Sequence, residues 1–129
     1  MDIDKEALIK AKGQVEPNIY HYTDNSRQKE TVTELYIGSV TENYPEIKAK
    51  NFDAITMIEL VEHLPLKEVP LLASAVFGFY RPQYVIITTP NSDFNQHFID
   101  LGSNWKKGQF RDDDHKFEWT QAEFLTFVK

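Results

Sequence analysis

Cysteine is missing altogether from the 129 residues, which excludes disulfides, thiolate metal sites and cysteine nucleophiles. No apolar run approaches the length of a membrane span, and the amino terminus lacks the basic-then-apolar pattern of a secretory leader. Internal repeats and low-complexity segments are missing too. Positive charge is scarce: 14 Lys and Arg stand against 20 Asp and Glu, a formal net charge of −6. That balance argues against a broad electrostatic nucleic-acid surface, although a local basic patch or a metal could still hold the end of a strand. Lys106, Lys107 and Arg111 form the basic cluster nearest the candidate site, and its plain reading is a solvated loop. These absences fit a cytoplasmic protein without membrane contact.

What is present is ordinary globular material. Hydrophobic residues make up 41% and aromatics 13%, enough to exclude a disordered chain and to build one domain with a moderate core. The most informative stretch is Met57-Ile-Glu-Leu-Val-Glu-His-Leu-Pro65. Glu59, Glu62 and His63 stand at i, i+3 and i+4 and share one face if a helical turn starts there. They follow an apolar run, Phe52 to Ile58, that reads as a buried strand. Two carboxylates and an imidazole crowded at a strand's carboxyl end repel one another and lose solvation unless something positive sits among them. A divalent cation meets that need, and the residue types leave Mg²⁺, Mn²⁺ and Zn²⁺ open.

Around this stretch the pattern alternates. Residues 1–12 read as the end of a strand passing into a helix, with Asp4 as N-cap and Ala7, Leu8 and Ala11 as its apolar stripe. Pro17 to Lys29 is polar and reads as a long loop; Thr31 to Ile37 has the β-branched and aromatic content of a strand. Asn43 to Asn51 is a polar connection with room for a short helical piece. Leu66 to Tyr80 has helical periodicity, with Pro70 early enough to be tolerated in a first turn, and Arg81-Pro82 ends it. Tyr84 to Thr88 is a second apolar strand, followed by a turn at Thr89-Pro-Asn-Ser92. Phe94 to Asp114 is polar and irregular. Thr120-Gln-Ala-Glu123 matches a capping box that opens a last helix. Alternating strands and helices with continuous apolar strands predict an α/β fold whose parallel sheet is buried on both faces. Ligands of such sheets collect at the carboxyl ends of the strands, where Asp2, Ser39, Glu59 and Pro90-Asn91 would gather.

Three segments carry a family resemblance. Phe52-Asp-Ala-Ile-Thr-Met-Ile-Glu-Leu-Val-Glu-His-Leu64, Ile87-Thr-Thr-Pro-Asn-Ser-Asp-Phe-Asn95 and Arg111-Asp-Asp-Asp-His-Lys-Phe-Glu-Trp-Thr120 closely resemble the small-RNA 3′-terminal 2′-O-methyltransferases, the enzymes that act on piRNAs in animals and microRNAs in plants; the wording looks like the animal branch. The resemblance implies a Rossmann-like class I fold that uses S-adenosylmethionine, with Glu59, Glu62, His63 and His115 holding Mg²⁺ or Mn²⁺. It implies that Asp2 binds the cofactor's ribose hydroxyls and that Ser39 sits near the adenine. The implied substrate is the 3′ end of a small RNA with a free 2′,3′-diol, presented by an Argonaute or Piwi protein to a monomeric enzyme. Metal coordination lowers the pKa of a hydroxyl and fixes it in line with the sulfonium methyl group, and His63 could also take the proton as general base. One departure stands out: the family's first strand with its glycine-rich loop, and the last strands of its sheet, have no counterpart here. The chain resembles the middle of the catalytic domain, so weak or no transfer by this chain alone is expected.

Plainer readings remain beside these. Glu59 alone could be a capping residue and His63 alone a satisfied half-buried histidine. His115 could sit in an exposed acidic turn with Asp112, Asp113 and Asp114, which read as solvated. His21 and His97 read as loop residues, Phe117 and Trp119 as packing beneath the metal loop, and Asn91 and Phe94 as candidates for the substrate rim. Three rivals compete. The inverted zinc-protease motif His-x-x-Glu-His has an imidazole where Glu59 stands. A small-molecule methyltransferase would share the fold without a four-ligand metal. A truncated, catalytically inert form would bind metal or a partner without turnover.

Overall fold

The computed structural model describes residues 1–15, 32–100 and 108–129. The expected loop at Pro17 to Lys29, with His21, therefore lies outside the described residues, as do Lys106 and Lys107. The chain divides into two compact units, Met1–Glu42 and Asn43–Lys129.

In the first unit, helix α1 spans Lys5–Val15. It starts where expected because the Asp4 carboxylate accepts from the Glu6 and Ala7 N–H groups, at 2.8 and 3.2 Å, satisfying donors that a helix start leaves open. Leu8 is buried, while Ala7 stays exposed, so the apolar stripe is narrower than the pattern indicates. Asp2 and Ile37 form a single parallel bridge, in which Asp2 N–H donates to Tyr36 O at 3.0 Å and Gly38 N–H to Asp2 O at 2.9 Å. The strand expected over Thr31 to Ile37 reduces, among the described residues, to this bridge. The facing segment runs into α1 within a few residues, and one residue cannot sustain a ladder.

The second unit is built on two parallel strands, β1 (Ala54–Ile58) and β2 (Tyr84–Thr88), paired from Ala54↔Tyr84 to Ile58↔Thr88. Helix α2 (Pro45–Lys48) precedes β1, and the connection between the strands winds through 3-10 turns at Val61–His63 and Leu66–Glu68, helix α3 (Val69–Ala73) and a π-helical stretch, Ser74–Tyr80. Pro70 falls in the first turn of α3, where its missing N–H breaks no bond. Arg81 closes the stretch in the left-handed region at φ 53°, its N–H donating to Val76 O at 2.9 Å, and Pro82 follows. Met57, Val61, Val69, Leu72, Ala75, Val76 and Phe117 are the buried apolar side chains of this unit.

The sheet departs from expectation in its cover. Met57 is buried and Ile55, Val85 and Ile87 are half-buried, but Ala54, Thr56, Ile58, Tyr84, Ile86 and Thr88 are exposed. Both strands alternate, so one face is covered and the other is open, correcting the expectation of a sheet buried on both faces. A crossover lays its helix on one face of a parallel pair, and burying the second face takes another layer.

Helix α2 (Pro45–Lys48) supplies the short helical piece expected before β1; Tyr80 Oη accepts from the Tyr44 N–H at 3.0 Å, just ahead of it. The segment after β2 is less irregular than its polarity indicates: a 3-10 turn at Ser92–Phe94 leads into helix α4, Asn95–Asp100. Helix α5 (Gln121–Phe127) opens with the expected capping box, Thr120 Oγ1 accepting from Glu123 N–H at 3.2 Å and Glu123 Oε2 from Thr120 N–H at 2.8 Å.

Candidate metal centre

The site begins where β1 ends. Glu59 leaves the strand in the left-handed region, φ 48°, a conformation that costs a non-glycine residue roughly 1–3 kcal/mol. It is held there by its own N–H, which donates to Thr88 O at 3.0 Å and to Thr88 Oγ1 at 3.1 Å. The chain then tightens into the 3-10 turn Val61–His63. The continuous helical turn expected from Glu59 is thus broken at its first residue, and Glu59 does not share a helical face with Glu62 and His63.

Glu62 is fully buried, at 0% exposure. Its two carboxylate oxygens are both buried without a hydrogen-bond partner among the described residues. Its main-chain carbonyl, by contrast, accepts from Lys116 N–H at 2.8 Å. That bond fastens the segment bearing His115 onto the 3-10 turn. The segment is itself folded by Asp112, whose main-chain O accepts from His115 N–H at 3.2 Å and whose Oδ1 accepts from Asp114 N–H at 2.9 Å. The rings of His63 and His115 consequently meet edge to face, centroids 4.9 Å apart and planes at 77°. One ligand atom from each of Glu62, His63 and His115 lies within 4.8 Å of the others.

Both imidazoles are held from behind. His115 Nδ1 is 2.7 Å from Glu118 Oε1, and His63 Nδ1 is 3.2 Å from Asp114 Oδ2. A carboxylate only accepts, so in a neutral ring Nδ1 carries the proton and Nε2 keeps the lone pair that a metal needs. Glu118 also accepts from Asn95 Nδ2 and from the Arg111 N–H. Burial pushes its carboxyl up, but the donors from Asn95, Arg111 and His115 outweigh that and hold it below the usual glutamate range. Asp114 is held below its usual range chiefly by the hydrogen bond and charge of Lys116, whose Nζ is 3.0 Å away. A buried carboxylate with no donor among the described residues and two imidazoles presenting lone pairs form a donor set that fits a divalent cation.

Of the four residues expected at the metal, the structure brings together Glu62, His63 and His115; Glu59 stands outside that group, exposed at the strand end. In the first unit, Asp2 is exposed and its Oδ1 accepts from Asp4 N–H at 2.9 Å. Ser39, half-buried, has its Oγ 2.7 Å from Thr41 Oγ1. Asn91 caps the 3-10 turn that follows it, accepting from Asp93 N–H at 3.0 Å, and Phe94 is exposed, 5.9 Å from the His97 ring. Trp119 packs against Phe117 and Phe127, centroids 4.6 and 4.9 Å apart, so these aromatics belong to the packing as expected. Sequence reasoning missed Glu118. Its signal was the spacing His115-x-x-Glu118.

Comparison with known proteins gives a uniform result. The chain is 41% identical to a small RNA 2′-O-methyltransferase of Tetrahymena thermophila over 134 aligned positions, covering all of the chain and 30% of the relative. It is 41% identical to the protein of that name from Xenopus tropicalis (99% of the chain, 32% of the relative) and 36% to that from Drosophila melanogaster (96% and 31%). The chain thus spans about a third of the length of the curated relatives it matches. Among solved structures, the small RNA methyltransferase HEN1 superposes with a TM-score of 0.76 at 28% identity, covering 98% of this chain and 15% of that one. The methyltransferase domain of a bacterial Hen1 superposes at 0.57 with 35% identity, covering 74% and 44%. No family model matches.

Proposed function

Because the chain belongs to the small RNA 2′-O-methyltransferase family, we propose that it serves the metal-dependent transfer of a methyl group from S-adenosylmethionine to the 2′-hydroxyl at the 3′ end of a small RNA, on a Rossmann-like class I scaffold. The observation that carries this reading is Glu62, a fully buried carboxylate whose two oxygens lack partners among the described residues, beside two imidazoles. Glu62, His63 and His115 would hold the cation; Glu59, which lies outside that group, would complete the set only by turning its side chain inward. When bound, such an ion supplies Lewis acidity that lowers the pKa of a ribose hydroxyl and orients it. Two imidazole nitrogens favour Mn²⁺ over Mg²⁺.

The remaining roles fall to the chain's own groups. His63 is the more accessible imidazole, its side chain 36% exposed against 8% for His115; with Nε2 on a cation and Nδ1–H on Asp114 its ring has no lone pair left, so it would accept a departing proton only in place of ligating the cation. Asp2 would offer two acceptor oxygens to adjacent ribose hydroxyls of the cofactor, and Ser39 would help hold its adenine. An RNA with a vicinal 2′,3′-diol, delivered by an Argonaute-class protein, is the substrate this reading requires, because two neighbouring hydroxyls fit one cation better than one does. Labelled methyl transfer to a 20-nucleotide RNA tests it. Since weak or no transfer is expected of the 129 residues by themselves, the pattern of whatever label appears is the readout: it should sit on a 3′-terminal diol, be absent from a 2′-deoxy terminus and vanish with EDTA; transfer indifferent to EDTA or to the terminal 2′-hydroxyl contradicts it.

A further inference from the structure

We infer that Glu118 is a positioning residue of this centre: its buried carboxylate holds the Nδ1–H of His115, fixing the ring's tautomer and orientation so that Nε2 is the lone-pair donor. The inference rests on the metal reading above. The geometry is specific. The Glu118 side chain is 0% exposed and the His115 side chain 8% exposed, with 2.7 Å between Oε1 and Nδ1. The carboxylate is not free to swing, since Oε1 also takes the Arg111 N–H and Oε2 takes Asn95 Nδ2. Two donors from two places in the chain, Asn95 and Arg111, therefore aim one carboxylate at one ring nitrogen. Helix α4, through its first residue Asn95, takes part in setting a ligand that it does not itself provide. A carboxylate behind a ligating imidazole also makes that imidazole a stronger donor, and losing such a partner lowers metal affinity by roughly 10- to 100-fold.

A plain structural role for Glu118 would tie Arg111, Asn95 and His115 together but would not care which ring nitrogen bears the proton. Ring-nitrogen NMR on the metal-free 129-residue chain separates the two. His115 should carry its proton at Nδ1 in the wild type, the reverse of the Nε2–H form that a free neutral histidine favours. Glu118→Ala should shift it towards Nε2–H and weaken Mn²⁺ binding, read by calorimetry, roughly 10- to 100-fold. Glu118→Gln retains a carbonyl acceptor for Nδ1–H. Its amide can donate to Asn95 Oδ1, an oxygen that is buried and unpartnered among the described residues, once the Asn95 amide turns over. This variant should keep the wild-type tautomer and most of the affinity, and it decides the matter together with the wild-type spectrum if the alanine variant does not fold. An Nε2–H form in the wild type overturns the inference, as does wild-type Mn²⁺ affinity in folded Glu118→Ala. Absence of Mn²⁺ binding by the wild type, with the Nδ1–H signal present, overturns instead the metal reading on which the inference rests.

Discussion

Replacing Glu62 by Met should make the metal-free protein more stable while abolishing its response to metal. The two side chains are similar in volume, so the change leaves neither a cavity nor a crowd. What it removes is a carboxylate at 0% exposure with both oxygens unpartnered among the described residues. An unsatisfied buried polar group costs about 1–3 kcal/mol, and apolar replacements of buried ionic groups recover about 1–4 kcal/mol. A gain of about 2 kcal/mol in a chain of this size raises Tm by roughly 6–10 °C. The turn itself should survive, because Lys116 bonds the main-chain oxygen of Glu62 and not its side chain. Saturating Mn²⁺ works in the opposite sense: at 100 times its Kd a ligand stabilises the wild type by about 2.7 kcal/mol and Glu62→Met by nothing. Thermal unfolding with EDTA and with Mn²⁺ should therefore show the variant ahead in EDTA and the wild type catching up in metal. A Glu62→Met chain that melts below the wild type in EDTA would refute the reasoning, since Glu62 would then be held by contacts that the structure does not contain.

Glu59→Gly should separate strain from ligation at the strand end. Glycine accepts φ 48° without penalty, so metal-free stability should hold or rise by up to about 1 kcal/mol, while Mn²⁺ affinity falls if Glu59 closes the coordination set; unchanged affinity would remove Glu59 from the site. Thr120→Ala should cost about 1 kcal/mol through the lost cap of α5, read from the unfolding midpoint. Its capping-box partner gives a pH signature. Hydrogen bonds from Thr120, main chain first and hydroxyl second, hold Glu123 below its ordinary 4.5. A depressed carboxylate stabilises fully above its unfolded pKa and loses that contribution as the pH falls through the folded value. The stability difference between wild type and Glu123→Gln should accordingly be flat above about pH 5 and shrink below it; a difference that grows on acidification would refute the assignment.

What the residues revealed divides along the line between local and long-range causes. The α1 cap at Asp4 and the Thr120–Glu123 box were legible because each is complete within four residues. Strand β2 matched its apolar run from Tyr84 to Thr88, whereas β1 began at Ala54, two residues into its own run. The open face of the sheet was not legible, because an apolar run cannot report how many layers cover it. Nor was the left-handed turn at Glu59, which depends on Thr88 in the neighbouring strand. The meeting of His115 with Glu62 and His63 came from family resemblance and not from spacing; its physical cause is the Lys116 bond to the Glu62 carbonyl, a tertiary contact with no local signature. Glu118 escaped notice because its importance comes from Asn95, Arg111 and His115 converging on it.

The most direct test of the metal centre is a calorimetric Mn²⁺ titration of the chain and of His115→Ala, with circular dichroism confirming that both are folded. Saturable binding near one equivalent is expected of the wild type, weakened at least about tenfold when His115 is removed. A folded wild-type chain that binds no Mn²⁺, or a His115→Ala chain that binds it equally well, would contradict the account.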